Sequence, residues 1–447
     1  GSRGLGDVYK RQIYNKLIMQ DYPNSYYIDS LDRKLIHHPS LKDSYECDLC
    51  IIGGGFTGLS TAIEASKKGL KVILLEQNKV AWGASGRNGG QIGPDISNGV
   101  ESLEKKYGFA TVKSLWDISL DAVKLIDQRI NEFEIQCDKK SGNLSAATNQ
   151  AKIKDFENEI NYFQRKLDYH SSKILSKDEV SKAVGTDRYF GGHLYQEGGH
   201  LHPLKYALGL ADAALSLNVE IFEDSKVIKI SEEKDYVEVF TSSGFVKAKN
   251  IALCCNAYLE EIDAGIKSKI MPIINYMIAT KPLDEDLQKT ILPSDYCVCD
   301  TNFDLNYYRL SYDKRMIFGG GVSYSLKHSE KLAKNTERRM MKVFPNLSDV
   351  KAEYIWGGYV GITVNRTPDI GQSSQRIFYA HGFSGHGVAL TGIAGKIIAN
   401  SIVSGEKGAL ETFEKIKHKN FPGGRLFRMP LLVTISALQK MTDIFNA

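Results

Sequence analysis

The order of hydrophobic and polar residues changes abruptly at Asp48. A short apolar run, Leu49 to Ile52, leads into a glycine cluster; Leu59, Ala62 and Ile63 then recur at helical spacing as far as Gly69, and Lys71 to Glu76 (KVILLE) is a second apolar run. The pattern predicts strand, glycine turn, helix and buried strand, which together make one βαβ unit. Farther along, Leu115, Ile118, Leu125, Ile126, Ile130 and Phe133, then Ile153, Phe156, Ile160, Phe163 and Leu167, predict two amphipathic helices between residues 111 and 168. Ser176 and Glu179 form a capping box for a short helix ending at Gly185. Pro203 opens a helix carrying Tyr206, Ala207, Leu210 and Ala214. Strand-like patterning dominates from about Val219 to Cys255 and from about Met271 to Val322, with Tyr307 to Gly320 reading as a hairpin that turns at Asp313 and Lys314. Arg376 to Ala380 is a further strand, followed by a Gly/His turn and a helix of small residues, Val388 to Ile402.

The order α/β, helical insert, β-rich stretch, α/β predicts a dinucleotide-binding domain assembled from separated segments, with a second domain inserted. The expected divisions are residues 47–105, 186–270 and 350–420 for the nucleotide-binding domain and 106–185 and 271–349 for the substrate domain. Residues 13–46, rich in tyrosine, read as an arm packed on the body; residues 1–12 look like a cloning or assembly scar. The tail, 421–447, carries Leu431, Leu432, Ile435, Leu438, Met441 and Ile444 at near-helical spacing, and is expected to pack on the body rather than on a membrane.

Composition narrows the class. Lys plus Arg total 57 against 53 for Asp plus Glu, so a net charge of +4 over 447 residues offers no stripe for tracking nucleic acid. Seven cysteines, an odd number over a long chain, argue against a disulfide framework and for a reducing, cytoplasmic setting. Cys47 and Cys50 form a C-x-x-C, but Cys50 falls in an apolar run, where packing is the favoured reading. No cysteine has the spacing of a zinc site, and no metal is implied. The longest apolar stretch, Gly387 to Val403, is interrupted by Lys396, so a membrane span is not expected.

Chemistry concentrates in the first unit. Gly53, Gly55 and Gly58 form a G-x-G-x-x-G after a strand and at the mouth of a helix. The first permits a tight turn, the second lets a pyrophosphate approach the backbone, and the third lets helix and strand pack, with Phe56 and Thr57 at the helix N-terminus. Glu76, 18 residues past Gly58, stands where an acidic side chain meets a ribose hydroxyl. This unit alone does not separate FAD from NAD. The next segment, WGASGRNGGQ, brings Gly83, Ala84, Ser85, Arg87, Asn88, Gly89, Gly90 and Gln91; its small residues can lie against a flat cofactor, while Arg87 and Asn88 can bond its polar edge.

That segment resembles the flavin-proximal loop of the D-amino-acid oxidase and sarcosine oxidase superfamily, in the spelling of members that oxidise gamma-glutamylated diamines. The resemblance runs along nearly the whole chain: SYY (Ser25–Tyr27), DRYFGG (Asp187–Gly192), GGHLHPL (Gly198–Leu204), NAYL (Asn256–Leu259), YCV (Tyr296–Val298), YYRL (Tyr307–Leu310), FGGG (Phe318–Gly321), GFSGHGV (Gly382–Val388) and FPGGR (Phe421–Arg425) stand in the family's order. It implies a glycine-oxidase-like, two-domain α/β (α+β) flavoprotein with a Rossmann-type FAD domain and an antiparallel-sheet substrate domain. It extends the cofactor contacts to Gln77, Val227, Asn256, Gly357, Gly385, His386, Gly387 and Val388. In GFSGHGV a helix N-terminus can face the flavin edge where negative charge develops.

The implied activity is FAD-dependent amine oxidation: hydride transfer from the carbon beside an uncharged amine, imine hydrolysis, and O2 as acceptor. The alternatives are a same-fold oxidase or dehydrogenase for another amine or amino acid, and a non-catalytic flavin-bound subunit. With no Cys in Trp356–Ile362 and no His in Trp82–Gln91, the resemblance implies non-covalent FAD. Gly319 to Gly321 stands where sarcosine oxidases carry the lysine that promotes reaction with oxygen. Tyr307 and Tyr308 alternate on a strand, so one of them faces the flavin, and the expectation is Tyr308. His386 is either a catalytic base or a residue that offers only its amide. Arg309 or Arg366 can pair with a substrate carboxylate such as a gamma-glutamyl group, and Asp300 with a polyamine cation; a structural ion pair competes for each. His200 and His202 flank a helix start, where capping is favoured over substrate contact. The sequence is silent on oligomeric state.

Overall fold

A computed structural model describes residues 22–94, 96, 99–323 and 330–422; the expected scar, the first part of the arm and all but the first two residues of the tail lie outside these. In chain order the elements that position the site are β1 (Ser44–Ile52), α1 (Phe56–Lys67), β2 (Val72–Leu75), α2 (Phe109–Glu132), β3 (Lys140–Ala146), α3 (Gln150–Leu167), β4 (Gly192–His200), α4 (Pro203–Ser216), β5 (Glu220–Phe222) and β6 (Phe245–Leu253). They continue with β7 (Met271–Pro282), β8 (Cys297–Asp300), β9 (Asn306–Leu310), β10 (Arg315–Ser323), β11 (Ala352–Ile362), β12 (Asp369–Gln372), β13 (Ile377–His381) and α5 (Gly387–Ser404).

The first sheet runs β12-β13-β6-β1-β2-β5, parallel from β13 to β5. All four residues of β2 are buried, as a parallel strand covered on both faces requires. Helices α1 and α5 pack on this layer, and the Ser60 hydroxyl of α1 donates to the Gly392 carbonyl of α5. By length and composition α5 would suffice to cross a membrane, but most of it lies inside the protein. The buried Arg129 of α2 donates to Ser60 Oγ at 2.6 Å and Glu64 Oε1 at 3.1 Å. Thus α2, assigned by sequence to the substrate segment 106–185, packs on the nucleotide-binding layer.

The second sheet runs β11-β7-β10-β9-β8-β3-β4, with the short strand Gln91–Ile92 on β4. All its neighbours are antiparallel except β8 and β3. Three sequence placements are corrected here. Gln91–Ile92, β4 and β11, placed by sequence in segments 47–105, 186–270 and 350–420 of the nucleotide-binding domain, belong to this sheet. β11 pairs with β7 from Met271↔Ile362 to Ala279↔Tyr354, a partner about 80 residues away that no local pattern reveals.

Local signals held where the chemistry is local. The Ser176–Glu179 capping box forms, Gly185 ends its helix with φ +81°, and the β9–β10 hairpin turns with Lys314 at φ +59°. His202 caps α4, its Nδ1 accepting from the Lys205 amide at 3.1 Å, with Pro203 at the first helical position. The described part of the arm is well packed: Tyr27 is fully buried, its ring 5.2 Å from that of Trp356 and 4.9 Å from that of His202. All seven cysteines are free. Cys47 and Cys50 are buried in the core beneath the first sheet, and burial pushes the Cys47 thiol up to about 12.

Candidate active site

The turn between β1 and α1 needs its glycines for separate steric reasons. Gly53 has φ +111°, and a Cβ there would lie 2.8 Å from the Cys254 carbonyl oxygen. A Cβ on Gly58 would lie 1.9 Å from the Gly53 carbonyl oxygen, so the helix could not sit this close to the strand. Glu76, at the end of β2, accepts from the Gly54 amide at 2.7 Å and the Asn78 amide at 2.9 Å. Burial pushes its carboxyl up while these amides pull it down, and burial is the larger effect.

The following loop is tied to this turn. Ser85 Oγ accepts from the Phe56 amide at 2.9 Å, at the N-terminus of α1. The two side chains expected to bond the cofactor's edge also brace the loop. Arg87 donates to the carbonyls of Gly83 (3.2 Å) and Gly357 (3.1 Å) and to the Tyr258 hydroxyl (2.6 Å), and lies 4.5 Å over the Trp82 ring. Asn88 donates to the Ala84 and Ser85 carbonyls and accepts from the Gly90 amide. The Gly89 carbonyl accepts from Arg309 Nε at 2.7 Å, and Gln91 Nε2 donates to the Val298 carbonyl at 3.0 Å.

The distant turn Gly382–Val388 arrives at the same place. Asn256, at φ +46° beyond β6, accepts from the Gly382 amide at 3.0 Å, and His386 is the residue from which α5 begins. One cavity of about 840 Å³ connects the two turns. Gly53, Gly55, Phe56, Thr57, Glu76 and Gln77 line it, as do Gly83, Ala84, Ser85, Arg87 to Gln91, Val227, Asn256 and Gly385 to Val388. Gly58 stands behind it as a packing residue. Gly357 gives its carbonyl to Arg87 while its neighbour Gly358 lines the cavity. Two helix N-termini, those of α1 and α5, therefore border one elongated space, an arrangement suited to an anionic dinucleotide.

On the substrate side the sequence expectations fare less well. Tyr308 does not reach the cavity: it points to the opposite face of β9, stacks on Phe318 at 5.3 Å and shares a 2.9 Å hydrogen bond with the Tyr189 hydroxyl. Tyr307 lines the cavity, its hydroxyl donating to Asn275 Oδ1 at 2.9 Å. A Cβ on Gly319 would fall 2.1 Å from the Tyr307 ring, and one on Gly89 3.0 Å from it, so the ring lies between two glycines. Asp300 is also directed elsewhere, its carboxylate accepting from Asn302 and Asn306. Arg309 is buried behind the loop, joined to the Gly89 carbonyl and the Tyr27 hydroxyl, and does not line the cavity. Arg366, at φ +61° between β11 and β12, and His386 do line it; His200 and His202 do not. Sequence reasoning missed Glu159, Tyr195, Asn143, Asn275 and Phe303, which also line the cavity. Glu159 sits three residues after Phe156 and four before Phe163 on the amphipathic helix α3, a spacing that was legible as helix but not as wall.

Comparison with known proteins bears on the same residues. The family described as DAO, FAD dependent oxidoreductase, matches residues 48–401. A probable oxidoreductase OrdL of Haemophilus influenzae is 39% identical over 92% of this chain and 94% of its own. The gamma-glutamylputrescine oxidoreductase of Escherichia coli is 35% identical over 95% of this chain and 99% of its own. Among solved structures, glycine oxidase from Geobacillus kaustophilus superposes with a TM-score of 0.71 at 18% identity, covering 84% of this chain and 100% of that one.

Proposed function

Because the chain belongs to the DAO family of FAD-dependent oxidoreductases, we propose that it is an amine oxidase of the kind that acts on gamma-glutamylputrescine. FAD is the family's cofactor, and the residues here fit it. The N-termini of α1 and α5 offer backbone donors for phosphates and for a reduced ring, and Glu76 offers a carboxylate for a ribose hydroxyl. These contacts need no covalent link, and in this reading FAD is held without one.

The chemistry that FAD supplies when bound is two-electron oxidation: a hydride leaves the carbon beside an uncharged amine, water splits the imine to aldehyde and ammonia, and O2 takes the electrons to give hydrogen peroxide. The chain's own part is to position. The Tyr307 hydroxyl donates its hydrogen bond to Asn275 Oδ1, so its oxygen retains lone pairs that accept from a substrate amine N–H. Burial keeps its phenol well above the ordinary range, hence neutral, a state suited to orienting an amine rather than to acid–base exchange. Ile273, Met277, Phe303 and Leu305 give this part of the cavity an apolar lining, and hydride transfer depends on close positioning in such surroundings. His386 serves through its backbone at the start of α5, with its ring as the alternative contact.

The observation that carries this reading is the single cavity running from both glycine turns to a neutral tyrosine in an apolar wall. The test is anaerobic mixing of the flavin-loaded protein with putrescine, gamma-glutamylputrescine, sarcosine and D-amino acids. Loss of visible flavin absorbance with one of the first two, followed in air by peroxide equimolar with aldehyde, is expected. A panel that leaves the absorbance intact refutes amine oxidation; bleaching without peroxide reassigns the acceptor to a partner protein.

A further inference from the structure

One stretch of the cavity wall, built by α2, α3 and β4, takes no part in the chemistry described so far. Four acidic side chains among the described residues line the cavity, and three of them are engaged. Glu76 holds the Gly54 and Asn78 amides, Glu260 pairs with Lys226 at 2.7 Å, and Asp304 pairs with Arg339 at 2.8 Å. Glu159 differs. Among the described residues its one ionisable neighbour within ion-pair range is the fully buried His193, whose Nδ1 lies 3.3 Å from Glu159 Oε2 without hydrogen-bonding geometry. Around it the wall is aromatic: Phe156 and Phe163 on the same helix, Trp116 stacked on Phe163 at 4.4 Å, and Tyr195 stacked on His193 at 4.1 Å. The Trp116 indole N–H is buried without an acceptor. The cations lining the cavity, Arg87, Lys226 and Arg366, stand at the loop, at the Glu260 pair and between β11 and β12, not here.

A carboxylate lacking a Lys or Arg partner, set among aromatic faces, is the chemistry that captures an ammonium group by charge and by ring quadrupole together. We infer that Glu159 with its aromatic surround is a specificity subsite for a second, positively charged nitrogen on the substrate, remote from the amine that is oxidised. This rests on the amine-oxidase reading for its substrate but not for its measurement. The experiment uses flavin-loaded protein and matched pairs: 1,4- to 1,10-diaminoalkanes against the monoamines of equal carbon number. The half-saturating concentration for anaerobic bleaching gives a diamine-to-monoamine preference at each length. If no amine bleaches the flavin, the amine-oxidase reading fails, and the spectral shift of bound flavin on titration supplies the same preference as a ratio of dissociation constants. The expected result is a preference of about tenfold or more for the diamine at one chain length, reduced about tenfold in Glu159→Gln and partly kept in Glu159→Asp, with flavin content unchanged. No preference at any length, or a preference that Glu159→Gln leaves intact, overturns the inference.

Discussion

Tyr307 and Tyr308 show what one residue's environment decides. Strand alternation alone requires them to face opposite ways, but both faces of β9 are covered, so burial could not say which side held the cofactor. The answer lies in Gly89 and Gly319, the glycines whose missing side chains leave room for the Tyr307 ring. A methyl at Gly319 would sit 2.1 Å from that ring, and the ring, held by Asn275, must leave its place. Gly319→Ala is therefore expected to keep its flavin, since residue 319 does not line the cavity, but to lose roughly tenfold or more in kcat/KM, as misplacement of a positioning group does. Steady-state kinetics with a bleaching substrate checks this, and unchanged kcat/KM would remove Tyr307 from the role given to it. Arg309 and Asp300 teach the complementary lesson. A charged residue named for substrate by sequence can turn out to be structural, because the sequence does not reveal that the Gly89 carbonyl or the Asn306 side chain waits for it.

At the scale of elements, the βαβ unit was legible because everything it needs is local: apolar strand, glycine spacing, helix period and acid fall between Leu49 and Glu76. β4 and β11 were not. Their places in the second sheet depend on hydrogen bonds to strands far off in the chain, and the glycine-rich WGGYVGI of β11 is compatible with either layer. Between these extremes lies the junction of loop and helix. The Ser85 hydroxyl accepts the Phe56 amide, an N-cap interaction supplied from 29 residues away. Its removal by Ser85→Ala frees that amide and unties the loop from α1. By analogy with ordinary N-caps the change should weaken folding by about 1 kcal/mol, and because the loop lines the cofactor cavity it should also weaken FAD affinity several-fold. Fluorescence titration of flavin-free protein with FAD measures the second effect. A variant that binds FAD as tightly as the parent would show that the loop is held by Arg87 and Asn88 without this link.

For the molecule as a whole, burial of neutral histidines ties stability to pH. The sense of the two-sheet flavoprotein fold was available from motifs spread over the chain; which titratable groups its core would enclose was not, since that depends on how the layers close. His381 on β13 is fully buried with neither ring nitrogen hydrogen-bonded, and burial pushes it from about 6.5 down to about 3. His200, the last residue of β4 in the second sheet, is pushed down to about 3 by the same cause, reinforced by Arg309. In each case the unfolded chain binds a proton below pH 6.5 that the folded protein refuses until near pH 3. The unfolded state therefore holds more protons across that window, and stability present above pH 6.5 is lost as the pH falls through it. Each such group contributes up to about 1.4 kcal/mol per pH unit, so His381 alone should account for about 2 kcal/mol between pH 7.5 and pH 5. His381→Phe keeps an aromatic ring beside Tyr379, 5.9 Å away, and removes the titration. Thermal unfolding of the flavin-loaded proteins at pH 7.5 and pH 5 is expected to show a smaller acid-induced fall in Tm for the variant than for the parent, whatever the offset between them at pH 7.5. Equal falls would mean that the imidazole finds water or the Asp369 carboxylate when protonated, and that the strand pair β12–β13 opens more readily than its packing indicates.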